Sequence, residues 1–261
     1  MMEKLLSVIL ILLSVTLTES ASDADIVLSE DLLYTECLTN VTEYPHDTSS
    51  FTQGLFFHNG ELYESTGRYA ESKIYKNVDI ATGKPQKEYI FDDAIFAEGS
   101  VVFEDTLYVL TYKEEQVLVF DPDTLEHLTT YSYPRQGWGL TTDGEYLIAS
   151  DGSEYLYFMD GELNTERKVR VKNNGSKVMN INELEYINGE IWANQWLTEN
   201  ILIIDPESGN VTRTIDLSGL YTPISDSADD VLNGIAYDKD SGKVYITGKC
   251  WDKLYEFEII Q

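Results

Sequence analysis

The chain is predicted to be all-β and to fold as a five-bladed β-propeller, on three observations. A short motif recurs five times at intervals of about 40–50 residues, the spacing of propeller and solenoid repeats. It reads Thr52-Gln53-Gly54-Leu55, Ala97-Glu98-Gly99-Ser100, Gly137-Trp138-Gly139-Leu140, Asn182-Glu183-Leu184-Glu185 and Leu232-Asn233-Gly234-Ile235. Most copies lead into a turn and a strand, as in Asn59-Gly60-Glu61-Leu62-Tyr63 and Asn188-Gly189-Glu190-Ile191-Trp192. Beyond the N-terminal apolar run, no long stretch carries apolar residues at the period of a helix, which argues against α/β barrels and dinucleotide-binding folds. A two-sheet sandwich also gives short strands, but not five copies of one motif.

The elements follow in order. Lys4 precedes an apolar run from Leu5 to Leu17, and small and polar residues continue to Ala24. Residues 1–24 are therefore read as a secretory signal, and export to a periplasmic or extracellular space is expected. The run is short for a membrane span, so contact with a membrane is expected only if the segment stays uncleaved. Residues 25–261 are read as one propeller domain. Within it, Leu32–Glu43 has strand character but precedes the first repeat, so it is expected to complete the last blade and remove an open sheet edge. In each repeat the motif strand should line the central channel. An aliphatic strand follows, often closed by an Asp-Pro turn, as in Val117-Leu118-Val119-Phe120-Asp121-Pro122. A polar strand ends the unit. Gly54, Gly99, Gly139 and Gly234 fall where backbones crowd near the axis. Their neighbours Gln53, Glu98, Trp138, Asn182 and Asn233 should then lie near one end of the channel.

Composition narrows the function. With 46 acidic against 18 basic residues, the net charge is −28, and no basic patch is available to neutralise nucleic-acid phosphates or an anionic membrane. The surplus keeps an exported monomer soluble, and adaptation to high salt is the sharper alternative. The three histidines, His46, His58 and His127, show no metal-ligand spacing. No Ser-His-Asp set falls on matching repeat positions, and no phosphate-binding glycine loop is present. Asn40-Val41-Thr42, Asn174-Gly175-Ser176 and Asn210-Val211-Thr212 are glycosylation sequons. Cys37 and Cys250 are the two cysteines. Either they are free thiols, or closure of the last blade brings them together as a disulfide that export permits.

Pro45-His46-Asp47, Phe51-Thr52-Gln53-Gly54-Leu55 and Tyr63-Glu64-Ser65-Thr66-Gly67 carry a family resemblance. It continues through Phe96-Ala97-Glu98-Gly99, Gly137-Trp138-Gly139-Leu140, Trp192-Ala193-Asn194 and Thr247-Gly248-Lys249-Cys250-Trp251. In order and spacing these resemble the plant- and bacterial-type glutaminyl-peptide cyclotransferases, over residues 32–260. The resemblance implies a five-bladed propeller that converts the N-terminal glutamine of peptides and proteins to pyroglutamate and releases ammonia. It puts the proton-handling carboxylate on Glu98 and pocket roles on Phe51, Gln53, Phe96, Trp138, Asn182, Trp196 and Lys249. Ala97 stands where the family usually has glycine. Tyr112 stands where it usually has tryptophan, keeping a ring of different shape in the pocket wall.

The reaction fits the residue inventory. The substrate's α-amine attacks its own side-chain amide carbon, so holding the substrate folded supplies much of the rate. The amine, with a pKa near 7.7–8.0, must first lose a proton. A single carboxylate can accept it and later return it to the departing ammonia if its own pKa is raised toward neutrality. Phe96, Tyr112 and Trp138 could desolvate Glu98 to that effect. No cofactor is expected for catalysis, although the polar channel could hold a structural cation. Glu64 and Glu183 are the next carboxylates, read as hydrogen-bonding partners of the inner strands. Two other readings compete: a non-catalytic propeller that binds peptides or proteins, and a metal-dependent lactonase-type propeller in which Glu98, Asn182 and Asn233 surround a calcium ion.

Overall fold

The computed structural model describes residues 38–260 apart from 225 and 226, so the predicted signal, residues 1–24, lies outside the described residues, as does Cys37. The first strand, β1 (Leu38–Pro45), precedes blade 1, which is β2 (Thr52–His58), β3 (Glu61–Thr66), β4 (Lys73–Asp79) and β5 (Lys84–Ile90). Blade 2 is β6 (Ala97–Phe103), β7 (Thr106–Thr111), β8 (Gln116–Phe120) and β9 (His127–Ser132). Blade 3 is β10 (Leu140–Thr142), β11 (Leu147–Ser150), β12 (Tyr155–Met159) and β13 (Thr165–Arg170). A short hairpin, β14 (Lys172–Asn173) and β15 (Ser176–Lys177), precedes blade 4: β16 (Ile181–Ile187), β17 (Glu190–Gln195), β18 (Asn200–Ile204) and β19 (Val211–Asp216). Blade 5 takes β20 (Leu232–Asp238), β21 (Lys243–Gly248) and β22 (Lys253–Ile259), and β1 returns as its outermost strand. Each blade is an antiparallel meander, and the five-bladed propeller expected from the repeats is the fold.

Local chemistry explains the hairpins. In blades 1, 2 and 4 the first turn has two residues at positive φ: Asn59-Gly60, Glu104-Asp105 and Asn188-Gly189. That is the type I′ geometry whose twist matches antiparallel strands. Blades 3 and 5 use four-residue turns, between the paired Thr142 and Leu147 and between Asp238 and Lys243.

The third strands β8 and β18 carry unbroken apolar runs, residues 117–120 and 201–204, because both of their faces are covered. On β18, Leu202 and Ile204 pack toward blade 3, while Ile201 and Ile203 pack toward blade 5. The apolar side chains accordingly fall into five clusters, one at each interface between neighbouring blades. The fourth strands lie at the rim, and Lys84–Ile90 and His127–Ser132 are largely exposed and polar.

The inner strands β2, β6, β10, β16 and β20 touch in sequence, and β20 meets β2 to close the ring. Two glycines show why the motif carries no side chain there. A Cβ on Gly99 would lie 2.5 Å from the Leu140 nitrogen, and one on Gly139 only 2.0 Å from the Asn182 carbonyl oxygen.

Closure follows the expected route. β1 pairs antiparallel with β22, from Leu38 opposite Ile259 to Pro45 opposite Lys253. Beyond it, the His46 side chain is buried at the seam between blades 1 and 5. Its Nδ1 lies 2.9 Å from the Trp251 carbonyl and its Nε2 3.2 Å from Glu64 Oε1. Both ring nitrogens thus face acceptors. Burial opposes a charge on the ring, but the Glu64 carboxylate outweighs it and raises the His46 pKa. Glu64 also accepts from Thr52 Oγ1 at 2.7 Å, which makes it the strand-holding carboxylate expected from sequence. Cys250 is half-buried in the turn after β21, in the last blade as expected.

Candidate active site

The repeat places one face of the ring under two sets of residues, those at the start of each inner strand and those just past the end of each second strand. Phe51 and Gln53, Phe96 and Glu98, Trp138, and Asn182 belong to the first set. Tyr112 follows β7, Trp196 follows β17 and Lys249 follows β21. All nine line a single cavity of about 300 Å³. Its depth separates two kinds of residue. Phe51, Gln53, Glu98, Asn182 and Lys249 are buried, while Phe96, Tyr112, Trp138 and Trp196 are half-buried toward the opening.

A feature invisible in the spacing aims the polar groups. Four inner strands carry a register shift at the motif, between Thr52 and Gly54, Ala97 and Ser100, Ile181 and Leu184, and Leu232 and Ile235. Such bulges re-aim a side chain out of the regular pleat, and Gln53, Glu98, Asn182 and Asn233 are the residues at them. Asn233 nevertheless stands behind the cavity rather than on its wall. Its Nδ2 donates to the Thr52 carbonyl at 2.8 Å and to Gln53 Oε1 at 3.3 Å, which fixes the Gln53 amide.

Glu98 is held through its backbone from both sides. Ser65 Oγ donates to its carbonyl at 2.7 Å, and the next amide, Gly99, donates to the Trp138 carbonyl at 2.7 Å. Its carboxyl group has no hydrogen-bonding partner among the described residues. Burial pushes its pKa well above the ordinary carboxylate range, with Lys249 pulling it back and Glu114 adding to the rise. Burial likewise lowers the pKa of Lys249, against the pull of Glu98 and Asp229. Burial thus pushes both groups toward their neutral forms, while each favours the charged form of the other.

The aromatic walls have defined contacts. Trp138 and Trp196 meet edge to face with centroids 5.6 Å apart. Phe96 sits 5.5 Å from Tyr112 and 6.2 Å from Phe51. Tyr112 thus keeps a ring in the wall, packed on Phe96. Asn182 Oδ1 is buried without a hydrogen-bond partner, an acceptor facing unmet demand.

Glu183 occupies the glycine place of the fourth repeat. Its side chain fills the axial space that glycines leave elsewhere and accepts from Leu55 N at 3.3 Å and Ile235 N at 3.0 Å, tying blade 4 to blades 1 and 5. It is the inner-strand partner expected from sequence. Among the described residues, no three His, Cys, Asp or Glu side chains converge as a metal-binding group.

Two cavity residues were missed from sequence, Arg68 and Asp229. Arg68 had a signal. The place that holds Tyr112, Trp196 and Lys249 in other blades is Gly67 in blade 1, where each of these amides donates back to the start of its inner strand. A Cβ on Gly67 would lie 2.4 Å from Phe96 Cε1, so the next residue, Arg68, carries the side chain instead. Asp229 lies on a polar stretch between blades that matches nothing in the other repeats.

Comparison with known proteins agrees with this geometry. A family profile described as Glutamine cyclotransferase matches residues 8–259. The chain is 39% identical over 227 residues to a glutaminyl-peptide cyclotransferase of Arabidopsis thaliana, covering 85% of this chain and 71% of that one. Among solved structures it is similar to the glutaminyl cyclase of Myxococcus xanthus, with a TM-score of 0.77 and 34% identity over 86% of this chain and 97% of the other. With the fold, the repeat motifs and nearly the whole described chain in agreement, the protein belongs to the glutamine cyclotransferase family.

Proposed function

We propose that the chain converts the N-terminal glutamine of peptides and proteins to pyroglutamate, with Glu98 carrying the proton between the attacking amine and the departing ammonia. The observation that carries this reading is the state of Glu98. It is a buried carboxyl group with its pKa raised by burial, with no hydrogen-bond partner, at the floor of a cavity sized for one side chain and a backbone terminus.

The steps balance without an external reagent. Glu98, ionised, takes a proton from the substrate's α-ammonium group. The freed nitrogen attacks the side-chain amide carbon, and the carbonyl becomes a tetrahedral oxyanion. Glu98 then returns the proton to the amide nitrogen, the C–N bond breaks, and ammonia leaves as the five-membered lactam forms. The ring nitrogen, made positive by its attack, gives its second proton to the Glu98 carboxylate, which passes it to solvent or to the released ammonia. A carboxyl with an ordinary pKa would be too weak a base for the first transfer and too weakly protonated for the second. Lys249, and the Gln53 amide held by Asn233, are the donors available to the developing oxyanion. Asn182 Oδ1 is the acceptor for the substrate's amine or amide hydrogens. Trp138, Trp196, Phe96 and Tyr112 form the apolar walls that exclude water and hold the chain folded for attack.

The same reading makes the protein an exported monomer that acts on peptides without nucleic acid, membrane or metal. The test is incubation of the purified protein with a glutamine-initiated peptide. Stoichiometric ammonia, with a peptide lighter by one ammonia, is expected. Glu98→Gln should lower kcat by about 10²–10⁴ with KM little changed. Near-normal turnover in that variant would remove Glu98 from the chemistry.

A further inference from the structure

The mouth of the cavity carries a cation that the cyclisation does not use. Arg68, at φ 82°, lies with its guanidinium carbon 4.3 Å from the centre of the Phe51 ring. The Lys249 ammonium is 4.6 Å from the centre of the same ring. In a chain with 18 basic residues and 46 acidic ones, two cations on one pocket aromatic are not a consequence of composition. They differ in depth. Lys249 is buried beside Glu98, whereas 41% of the Arg68 side chain is exposed. The Arg68 guanidinium makes no hydrogen bond to a described residue. Its ion-pair contact is Asp230 Oδ1 at 3.9 Å, beyond hydrogen-bond reach. Its donor fork, suited to a carboxylate, is therefore open to a ligand.

A substrate places a particular atom set there. The glutamine residue must enter completely, because both its amine and its amide have to reach the buried Glu98. The second residue of the peptide then lies at the opening, beside Arg68 and the exposed Asp229. Resting on the cyclisation reading above, we infer that Arg68 is a specificity determinant that favours peptides with an acidic side chain immediately after the N-terminal glutamine. The guanidinium is fixed by its stacking on Phe51, so little ordering remains for binding to impose. Asp229 opposes the preference, which keeps it modest, and disfavours nothing cationic by itself.

The experiment uses C-terminally amidated peptides beginning Gln-Glu, Gln-Ala and Gln-Lys, so that a side chain is the sole carboxylate near the second residue. The unmodified enzyme should show kcat/KM about two- to five-fold higher for Gln-Glu than for Gln-Ala, the size of a partly exposed ion pair. The ratio should shrink as salt rises. Arg68→Leu should bring it close to one, and Arg68→Lys should restore part of it. Binding of the matching pyroglutamyl peptides, measured calorimetrically, reads the same preference without turnover. If glutamine peptides are not cyclised at all, yet the pyroglutamyl-Glu peptide binds better than its Ala counterpart in an Arg68-dependent way, the charge assignment stands and the cyclisation reading falls. Normal turnover with a Glu-to-Ala ratio that Arg68→Leu leaves unchanged overturns the assignment of Arg68.

Discussion

Glu185 offers the sharpest test of how the channel is built. It lies two residues beyond Glu183 on β16, and like Glu183 it reaches a backbone amide of β20 in blade 5. Its Oε1 accepts from Tyr237 N at 2.9 Å and its Oε2 accepts from Thr141 Oγ1 at 3.2 Å. Burial pushes its pKa up to about 8 from an ordinary value of 4.5, against the pull of those hydrogen bonds. Between those two pH values the folded chain keeps a proton that the unfolded chain has released. Stability from this group is therefore lost as pH rises from about 4.5 to about 8, and levels off above that. A displacement of this size corresponds to roughly 5 kcal/mol. Glutamine imitates the protonated acid: its carbonyl can accept from Tyr237 N, and its amide can donate to Thr141 Oγ1, whose hydroxyl can rotate. Glu185→Gln should accordingly match the unmodified protein near pH 5 and exceed it at pH 8 by about 2–4 kcal/mol. For a chain of this size that is about 5–15 °C in Tm. Urea unfolding between about pH 5 and pH 9 measures the difference. The unmodified protein keeps some slope from Glu183, whose pKa is also raised by burial and by Glu185. Parallel stability curves for the two proteins across that range would show that Glu185 is ionised in the fold and that the reasoning is wrong.

Two further outcomes are expected. Gly139→Ala puts a methyl group 2.0 Å from the Asn182 carbonyl oxygen and 2.9 Å from Glu183 Cα, backbone atoms that cannot turn away. It should destabilise by at least about 3 kcal/mol, the upper range of overpacking, and lower activity by shifting Asn182. Gly144→Ala, in an open turn at φ 92°, should lose only about 1 kcal/mol; equal losses in thermal unfolding would contradict axial crowding. Cyclisation should survive prolonged chelation, since every proposed proton transfer uses Glu98. Activity lost to a chelator and regained on adding zinc or calcium, with circular dichroism unchanged, would overturn that expectation.

The fold was legible because it repeats its constraints. Glycine stands in the motif at Gly54, Gly99 and Gly139 because a Cβ there collides with the backbone of the next blade, and the apolar runs of β8 and β18 mark third strands covered on both faces. Pocket residues were legible at the motif position, as Gln53, Glu98, Trp138 and Asn182 were, while Tyr112, Trp196 and Lys249, which share a second repeat position, were given by the family resemblance. What escaped was whatever the repeat breaks. Arg68 is displaced by one residue because Gly67 must admit the Phe96 ring. Asp229 has no counterpart. Asn233 matched the pattern yet turned inward, since its amide has backbone and Gln53 to satisfy. The bulges add a residue to one strand without altering the repeat spacing, so no periodicity could reveal them.

Burial alone does not distinguish the three channel carboxylates, since it raises the pKa of Glu98, Glu183 and Glu185 alike. Occupancy does. Glu183 spends both oxygens on amides of blades 1 and 5, and Glu185 spends its pair on Tyr237 and Thr141. Neither can move a proton without loosening a link between blades. Glu98 is held instead by its backbone, through Ser65 and Gly99, and its carboxyl group meets the cavity unbound. The ring thus separates two uses of one residue type. Where the glycine place carries Glu183, the carboxylate closes the axis. Where the glycine is kept beside Glu98, the neighbouring backbone does the closing and leaves the carboxyl free for its proposed role. Moving that link onto the Glu98 side chain would lower its pKa by hydrogen bonding to the charged form, and would remove the base proposed for cyclisation.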